Sequence, residues 1–269
     1  MVGDGRNGGR SRLVRDLYRH LDPSGESRPP PILAGDRSGS YAAGVGSSYH
    51  QFCPVAKAME LLDERWTMLV VRELVSGSEH FNELRRGVPR MSPSLLSKRL
   101  QELVRAGVVE RRTDGHEVRY VLTPAGHELK SVVDALGVWG IRWMGELGDR
   151  DLDPKLLLWD MHRNLDRDTI PSERTVIRFR FPDAPARTRD WWLVITPDDA
   201  DVCDADPGFD VAVTITAPLR RMVEVWRGDV TWSESVRSGA LDVQGPEAVR
   251  RAVPRWLTLS SFAVVPRPA

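Results

Sequence analysis

Between residues 54 and 147 the spacing of apolar side chains switches from a helical period to strict alternation and back, which constrains the fold more than any other feature of the chain. Pro54 predicts the first turn of a helix with Val55, Ala58, Met59 and Leu62 on one face. Trp66, Leu69, Val70 and Leu74 continue at helical spacing, and Gly77 predicts the stop. Ser78 is the expected N-cap of a short helix with Phe81, Leu84 and Val88 inward, closed by Pro89. Ser92-Pro93 joins a capping hydroxyl to a proline at the first helical position. The helix it opens runs to Ala106 with Leu95, Leu96, Leu100, Leu103 and Val104 inward, and Gly107 ends it. Val108, Val109, Val118, Tyr120 and Leu122 then mark two short strands about a turn expected at Thr113-Asp114-Gly115. Thr123-Pro124 caps a last helix to Leu147, whose stripe is Leu129, Val132, Val133, Leu136, Trp139, Gly140 and Trp143. Four helices, a hairpin and a long helix spell a helix-turn-helix with a β-wing.

Charge points the same way once it is read locally. The 38 Lys and Arg of the 269-residue chain cancel its 38 Asp and Glu, but residues 85–112 hold eight basic side chains against two acidic ones. A helix-turn-helix places the N-terminal half of its second helix in the DNA major groove. On that helix Ser94, Ser97, Lys98 and Gln101 recur at i, i+3, i+4 and i+7, opposite the leucines. Their hydroxyl, ammonium and amide groups suit base edges or phosphates. Ser92 stands at the cap, Arg85, Arg86 and Arg90 precede the helix, and Arg111, Arg112 and Arg119 flank the wing. These arginines suit phosphates, whose contacts make affinity salt-sensitive. Double-stranded DNA is the expected partner. The stripe of the last helix can pack on its own first helix or on a partner helix. We expect the latter, a homodimer holding two recognition helices about 34 Å apart.

Other classes of protein are excluded by what the chain lacks. Two cysteines, Cys53 and Cys203, cannot form a disulfide framework. No apolar run approaches the roughly 20 residues of a membrane helix, and the N-terminus has no apolar core of a secretory signal. The expected setting is a reducing cytoplasm, in association with the DNA expected as partner and with no membrane partner. Residues 1–48, with nine Gly and a triple proline at 29–31, are expected to be a disordered tail apart from a short amphipathic stretch at Leu13, Leu17 and Leu21.

The Asp-rich segment Gly148 to Pro154 is the expected boundary between a DNA-binding and dimerisation domain at 49–149 and a second domain at 150–269. Strands are expected at Thr175–Phe181, Trp191–Ile195, Val211–Ile215 and Ala240–Val243. Helices are expected at Leu156–Leu165, Pro218–Trp226, Thr231–Ser238 and Pro246–Leu257. The fold class is α+β, a winged helix-turn-helix domain followed by a small α/β domain with a mostly antiparallel sheet.

Two resemblances sharpen this reading. Cys53-Pro54-Val55, Arg65-Trp66-Thr67, Arg72-Glu73-Leu74, Phe81-Asn82-Glu83-Leu84, Ser92-Pro93, Leu95-Leu96-Ser97, Arg99-Leu100 and Leu122-Thr123 with Gly126 resemble the HxlR-type winged-helix regulators. That resemblance spans roughly residues 50–145 and implies a homodimeric bacterial transcription factor that binds palindromic DNA. Asp210-Val211-Ala212-Val213, Val225-Trp226-Arg227-Gly228, Gly239-Ala240-Leu241-Asp242-Val243 and Trp256-Leu257 resemble the sterol-carrier-protein fold. That resemblance implies an apolar tunnel for a lipid or similar small-molecule effector.

Phe179, Phe181, Trp192, Met222, Trp226, Leu241 and Trp256 are the candidate pocket residues, against the alternative that they simply fill a core. Trp191 and Trp192 are adjacent on one strand and must face opposite sides. Cys53, near a helix N-terminus, is either an oxidant or quinone sensor, as its Cys-Pro setting in some HxlR-type members implies, or a small packed residue at the dimer interface. Neither a cofactor nor a metal is expected, because no two of the six histidines share a ligand spacing. Asp160, His162 and Asp166 read as a charged helix face, and no phosphate loop or nucleophile elbow occurs, so an enzyme is not expected. Three functions stay open at this point: a regulator modulated by an apolar molecule, a thiol-sensing regulator acting through Cys53, and a lipid-binding carrier.

Overall fold

The computed structural model describes residues 48–144 and 146–267; the expected disordered tail lies outside the described residues except for Ser48. The first region runs α1 (Pro54–Leu62), α2 (Thr67–Val75), α3 (Phe81–Gly87), α4 (Pro93–Arg105), β1 (Val109–Asp114), β2 (Glu117–Leu122) and α5 (Pro124–Trp143). Ser92 caps α4 by accepting a hydrogen bond from the Leu95 N–H at 3.3 Å, and Thr123 caps α5 by accepting from the Gly126 N–H at 3.2 Å. Val70, Val71 and Leu74 of α2, Leu84 of α3, Leu96, Leu100 and Leu103 of α4, and Leu122 of β2 form its core. Gly126 lets the start of α5 press against the wing base, since a Cβ there would lie 2.2 Å from the Val108 carbonyl oxygen.

Two local expectations need correction. The turn is Gly115-His116, because Asp114 pairs with Glu117 and the strands run on through Thr113 and Asp114. Gly115, at φ +56°, supplies the left-handed residue that a two-residue hairpin needs. The N-cap position of α3 is His80 rather than Ser78. The Glu83 carboxylate reaches back to accept from the Glu79 and His80 N–H groups at 2.9 and 3.0 Å, which fixes the start two residues later.

The second region opens with α6 (Pro154–Arg163), whose N-cap Asp153 accepts from the Lys155 and Leu156 N–H groups. It continues β3 (Thr175–Arg180), β4 (Asp190–Ile195), β5 (Ala200–Cys203), β6 (Val213–Thr216), α7 (Leu219–Arg227), α8 (Trp232–Arg237), β7 (Asp242–Gln244) and α9 (Glu247–Trp256). The sheet order is β5-β4-β3-β6-β7, with β3 and β6 parallel and the other pairings antiparallel. One sheet face, with Ile177, Phe179, Leu193, Ile195, Val213 and Ile215, packs beneath α6, α7 and α9. Strand β5 was not foreseen, because four residues are too few to show a period and its pairing to β4 is a tertiary choice.

This core is filled where a pocket was expected. Phe179, Phe181, Met222, Trp226, Leu241 and Trp256 are each at most 5% exposed and belong to one packed cluster. Two indoles of this cluster are satisfied by the protein itself: Trp256 Nε1 donates to the Thr169 carbonyl at 2.8 Å and Trp226 Nε1 to Asp160 Oδ2 at 3.0 Å. Trp192 stands apart from the other six, on the opposite sheet face, with the Arg178 guanidinium 5.6 Å from its ring centre. Strand alternation separates them, so the seven cannot line one cavity.

Candidate nucleic-acid interface

Helix α4 presents the row that the sequence predicted. Ser94, Lys98 and Gln101 are exposed and Ser97 is half-buried, while Leu96, Leu100 and Leu103 anchor the opposite side. What holds the helix in place was not foreseen. Arg99, 6% exposed, donates from Nη1 to Glu102 Oε2 at 2.6 Å, pairs with Glu64, and donates from Nε to the Arg65 carbonyl at 3.2 Å. A buried charge network therefore ties α4 to the turn between α1 and α2. Glu102 is engaged by Arg99, so Lys98, 3.9 Å from the other Glu102 oxygen, keeps an exposed ammonium. Ser92 spends its oxygen on the cap and lies 3.2 Å from the Ser94 hydroxyl.

The arginines divide into three sets. In the wing, Arg112 and Arg119 are cross-strand partners on one face, while Arg111 pairs with Tyr120 on the other. Arg112 is bound by Glu110 at 2.9 Å, a hydrogen bond that pushes its pKa up, and Arg119 is paired with Glu79. Arg111 donates to the Thr113 hydroxyl at 3.2 Å. Arg85 is exposed on α3. Arg86 and Arg90 turn toward the second region. Arg86 binds Asp201 at 2.7 Å with its guanidinium 5.2 Å from the Trp159 ring centre, and Arg90 donates to the Arg150 carbonyl. The basic cluster of the sequence is thus only partly presented beside α4.

Helix α3 packs against α6, and a charge cluster lies at that junction. Glu73 is fully buried; it accepts from Arg72 Nε at 3.0 Å, Trp159 Nε1 at 3.2 Å and Arg163 Nη1 at 2.8 Å. Arg72 also donates to the Gly87 carbonyl at 2.8 Å, and a Cβ on Gly87 would sit 1.8 Å from Glu73 Oε2. The helical spacing of α2 gave no hint of this, because the adjacent charges Arg72-Glu73 in an otherwise apolar run read as solvent-facing. Asp160 joins Arg163 and Trp226, and His162 stacks on Trp159 with ring centres 4.0 Å apart, so Asp160, His162 and Asp166 do not converge on a site. Burial pushes the His162 pKa down. Among the described residues no group of three His, Cys, Asp or Glu could hold a metal, and no helix is long and apolar enough to cross a membrane.

Two helices leave apolar faces open. No residue of α1 is buried, and Val55 and Met59 are exposed beside Phe52. On α5, Leu129 and Val133 pack against the core, whereas Leu136, Trp139 and Trp143 are 53, 56 and 59% exposed. Cys53 is a free, half-buried thiol at the N-cap position of α1.

With this geometry in place, the comparisons fall on the same segment. A family model described as HxlR-like helix-turn-helix matches residues 61–147. The HTH-type transcriptional regulator YvaP of Bacillus subtilis (strain 168), itself described as uncharacterized, is 34% identical over 35% of this chain and 91% of its own length. The similarly described Rv3095 of Mycobacterium tuberculosis is 38% identical over 34% of this chain, which spans 58% of that relative. YodB of Bacillus subtilis is 33% identical over 32% of this chain and 81% of its own length. The solved structure of quinone-bound YodB is 34% identical, covering 33% of this chain and 96% of that one at a TM-score of 0.30. Through the model on residues 61–147 and a relative matched over nearly its whole length, this chain belongs to the HxlR-like helix-turn-helix family.

Proposed function

We propose that the protein is a homodimeric transcriptional regulator that reads palindromic operator DNA with α4 and the wing. The observation that carries this is the exposed row Ser94, Lys98 and Gln101, held rigid by the buried Arg99 network and flanked by Arg85, Arg111, Arg112 and Arg119. The relatives' names, all transcriptional regulators, support DNA as partner and a role other than catalysis. The open faces of α1 and α5 support the dimer.

The test is anisotropy of labelled DNA from upstream of the gene, at two salt concentrations, with unrelated DNA as competitor. Affinity is expected to fall by about three orders of magnitude between roughly 50 and 200 mM salt if six or more phosphates are neutralised. Lys98→Ala should weaken the preferred site about 5- to 150-fold and unrelated DNA far less, as loss of a base contact does. Arg112→Ala should weaken both DNAs alike and lower the salt slope by about 1. Weak, salt-insensitive binding without preference would favour the lipid-carrier reading instead.

The second region, residues 150–269, is proposed to carry the response to a small apolar effector. The helix-covered mixed sheet supports the sterol-carrier-like assignment. With that interior filled, the effector is assigned to the outside of the core, where Trp226, one of the seven predicted residues, lines a cleft. A second reading has a specific observation in its favour: Cys53 combines a free thiol, a helix N-terminus and a flanking exposed apolar face, and its relative YodB has been solved with quinone bound. If Cys53 senses electrophiles, benzoquinone should release DNA from the native protein and leave the Cys53→Ser complex intact. Equal release from both would remove that reading.

A further inference from the structure

A cleft of about 640 Å³ runs between the helix-turn-helix region and the second region. Its apolar walls come from both, with Val75, Val133 and Ile141 on one side and Val223, Trp226 and Phe262 on the other. The C-terminal segment closes one end, where Phe262 is seated so tightly on α5 that a Cβ at Gly137 would lie 2.2 Å from its ring. The volume is that of a site for a drug-sized molecule.

The charges around it are unequal in what they offer. Three arginines line the cleft, and each has a carboxylate partner: Arg72 and Arg163 hold the buried Glu73, and Arg227 lies 3.3 Å from Asp229. Four aspartates line it as well: Asp134, held by Lys130 at 2.6 Å, Asp160, held by Arg163 at 3.2 Å, and Asp151 and Asp153, which meet backbone donors only. Asp151 accepts from the Gly148 N–H and Asp153 from the Lys155 and Leu156 N–H groups, bonds that leave their negative charge unneutralised. An apolar cavity with a surplus of carboxylate at its rim attracts positive charge, and the Trp226 and Phe262 rings add a surface that cations favour.

We infer that this cleft is the binding site for a small apolar organic cation, walled jointly by the two regions of the chain. The inference builds on the proposed effector-modulated regulator and gives its effector a place and a chemical class. Because α2 and α5 form one wall and α7 the other, an occupant that spreads or draws together the walls differs in affinity between two placements of the regions, which is what coupling to DNA requires.

The test is calorimetric titration of the full chain with tetraphenylphosphonium and with tetraphenylborate, probes of nearly one shape and opposite charge. The cation is expected to bind one per chain at micromolar concentration and the anion about tenfold or more weakly. Ser261→Trp, which narrows the cleft from an exposed position, should weaken the cation about tenfold. Asp151→Asn with Asp153→Asn keeps a side-chain oxygen to accept from the backbone N–H groups at each position, removes two charges, and should erase most of the preference for the cation. Equal affinity for both probes, or cation binding unchanged in both variants, would overturn the assignment. Anisotropy of labelled DNA separates the two levels. Cation binding that obeys these expectations but leaves DNA affinity unmoved keeps the cleft site and overturns the effector-modulated reading.

Discussion

Glu73→Ala is expected to cost about 3–5 kcal/mol of folding stability, the range seen when one member of a buried ion pair is removed. Glu73 has no solvent exposure, and its carboxylate meets Arg163 at 2.8 Å, Trp159 Nε1 at 3.2 Å and Arg72 at 2.8 Å. Deleting it leaves the Arg163 guanidinium, whose side chain is 13% exposed, with only Asp160 at 3.2 Å, and strands the indole N–H. Glu73→Gln keeps an acceptor and the shape, so its cost should be clearly smaller. Urea unfolding followed by tryptophan fluorescence reads the effect directly, because Trp159 lies at the junction. A Glu73→Ala protein within about 1 kcal/mol of the parent would mean that the junction is loose and solvated. Gly87→Ala should be similarly damaging, since its methyl group would occupy the space of the same carboxylate.

For the proposed operator-binding dimer, Leu136→Asp combined with Trp139→Asp is expected to give a monomer and to lower operator affinity by two orders of magnitude or more. Both side chains are more than half exposed, and with Trp143, also more than half exposed, they form an open apolar face on α5, the kind of surface that marks an interaction site. Charge at its centre opposes burial against a second copy while leaving the core of the chain untouched. A dimer engages both half-sites at once, and loss of the second contact removes an avidity of roughly 10²- to 10⁴-fold. Sedimentation velocity gives the mass and anisotropy the affinity, with circular dichroism checking that helicity is retained. A parent protein that sediments as a monomer would sink the palindromic reading outright.

The limits of α4 were legible because local chemistry sets them. Ser92 and Pro93 settle the start and Gly107 follows the end, whatever the rest of the chain does. The period of two in the wing was legible for the same reason, although the turn moved by two residues once the Asp114–Glu117 pair selected Gly115-His116. The exposed row on α4 followed from geometry alone, since residues at i, i+3, i+4 and i+7 must share a face.

Which charged groups face solvent was decided elsewhere. Arg85 and Arg86 are neighbours of one type, yet Arg85 is exposed while Arg86 is held by Asp201, a partner 115 positions away. Glu73 beside Arg72 and Arg99 beside Lys98 read as surface charges until partners from distant segments surround them. The aromatic residues of the second region were recognised as inward-facing, but whether they fill a core or line a cavity depends on how closely α6, α7 and α9 settle on the sheet. Sequence by itself thus determined the helix-turn-helix, the wing, the caps of α4 and α5 and the polar row, because these rest on interactions within a few residues. Tertiary structure alone decided the buried ion pairs, the turning away of Arg86 and Arg90, and the cleft between the regions, because each requires groups that the chain brings together only when it folds.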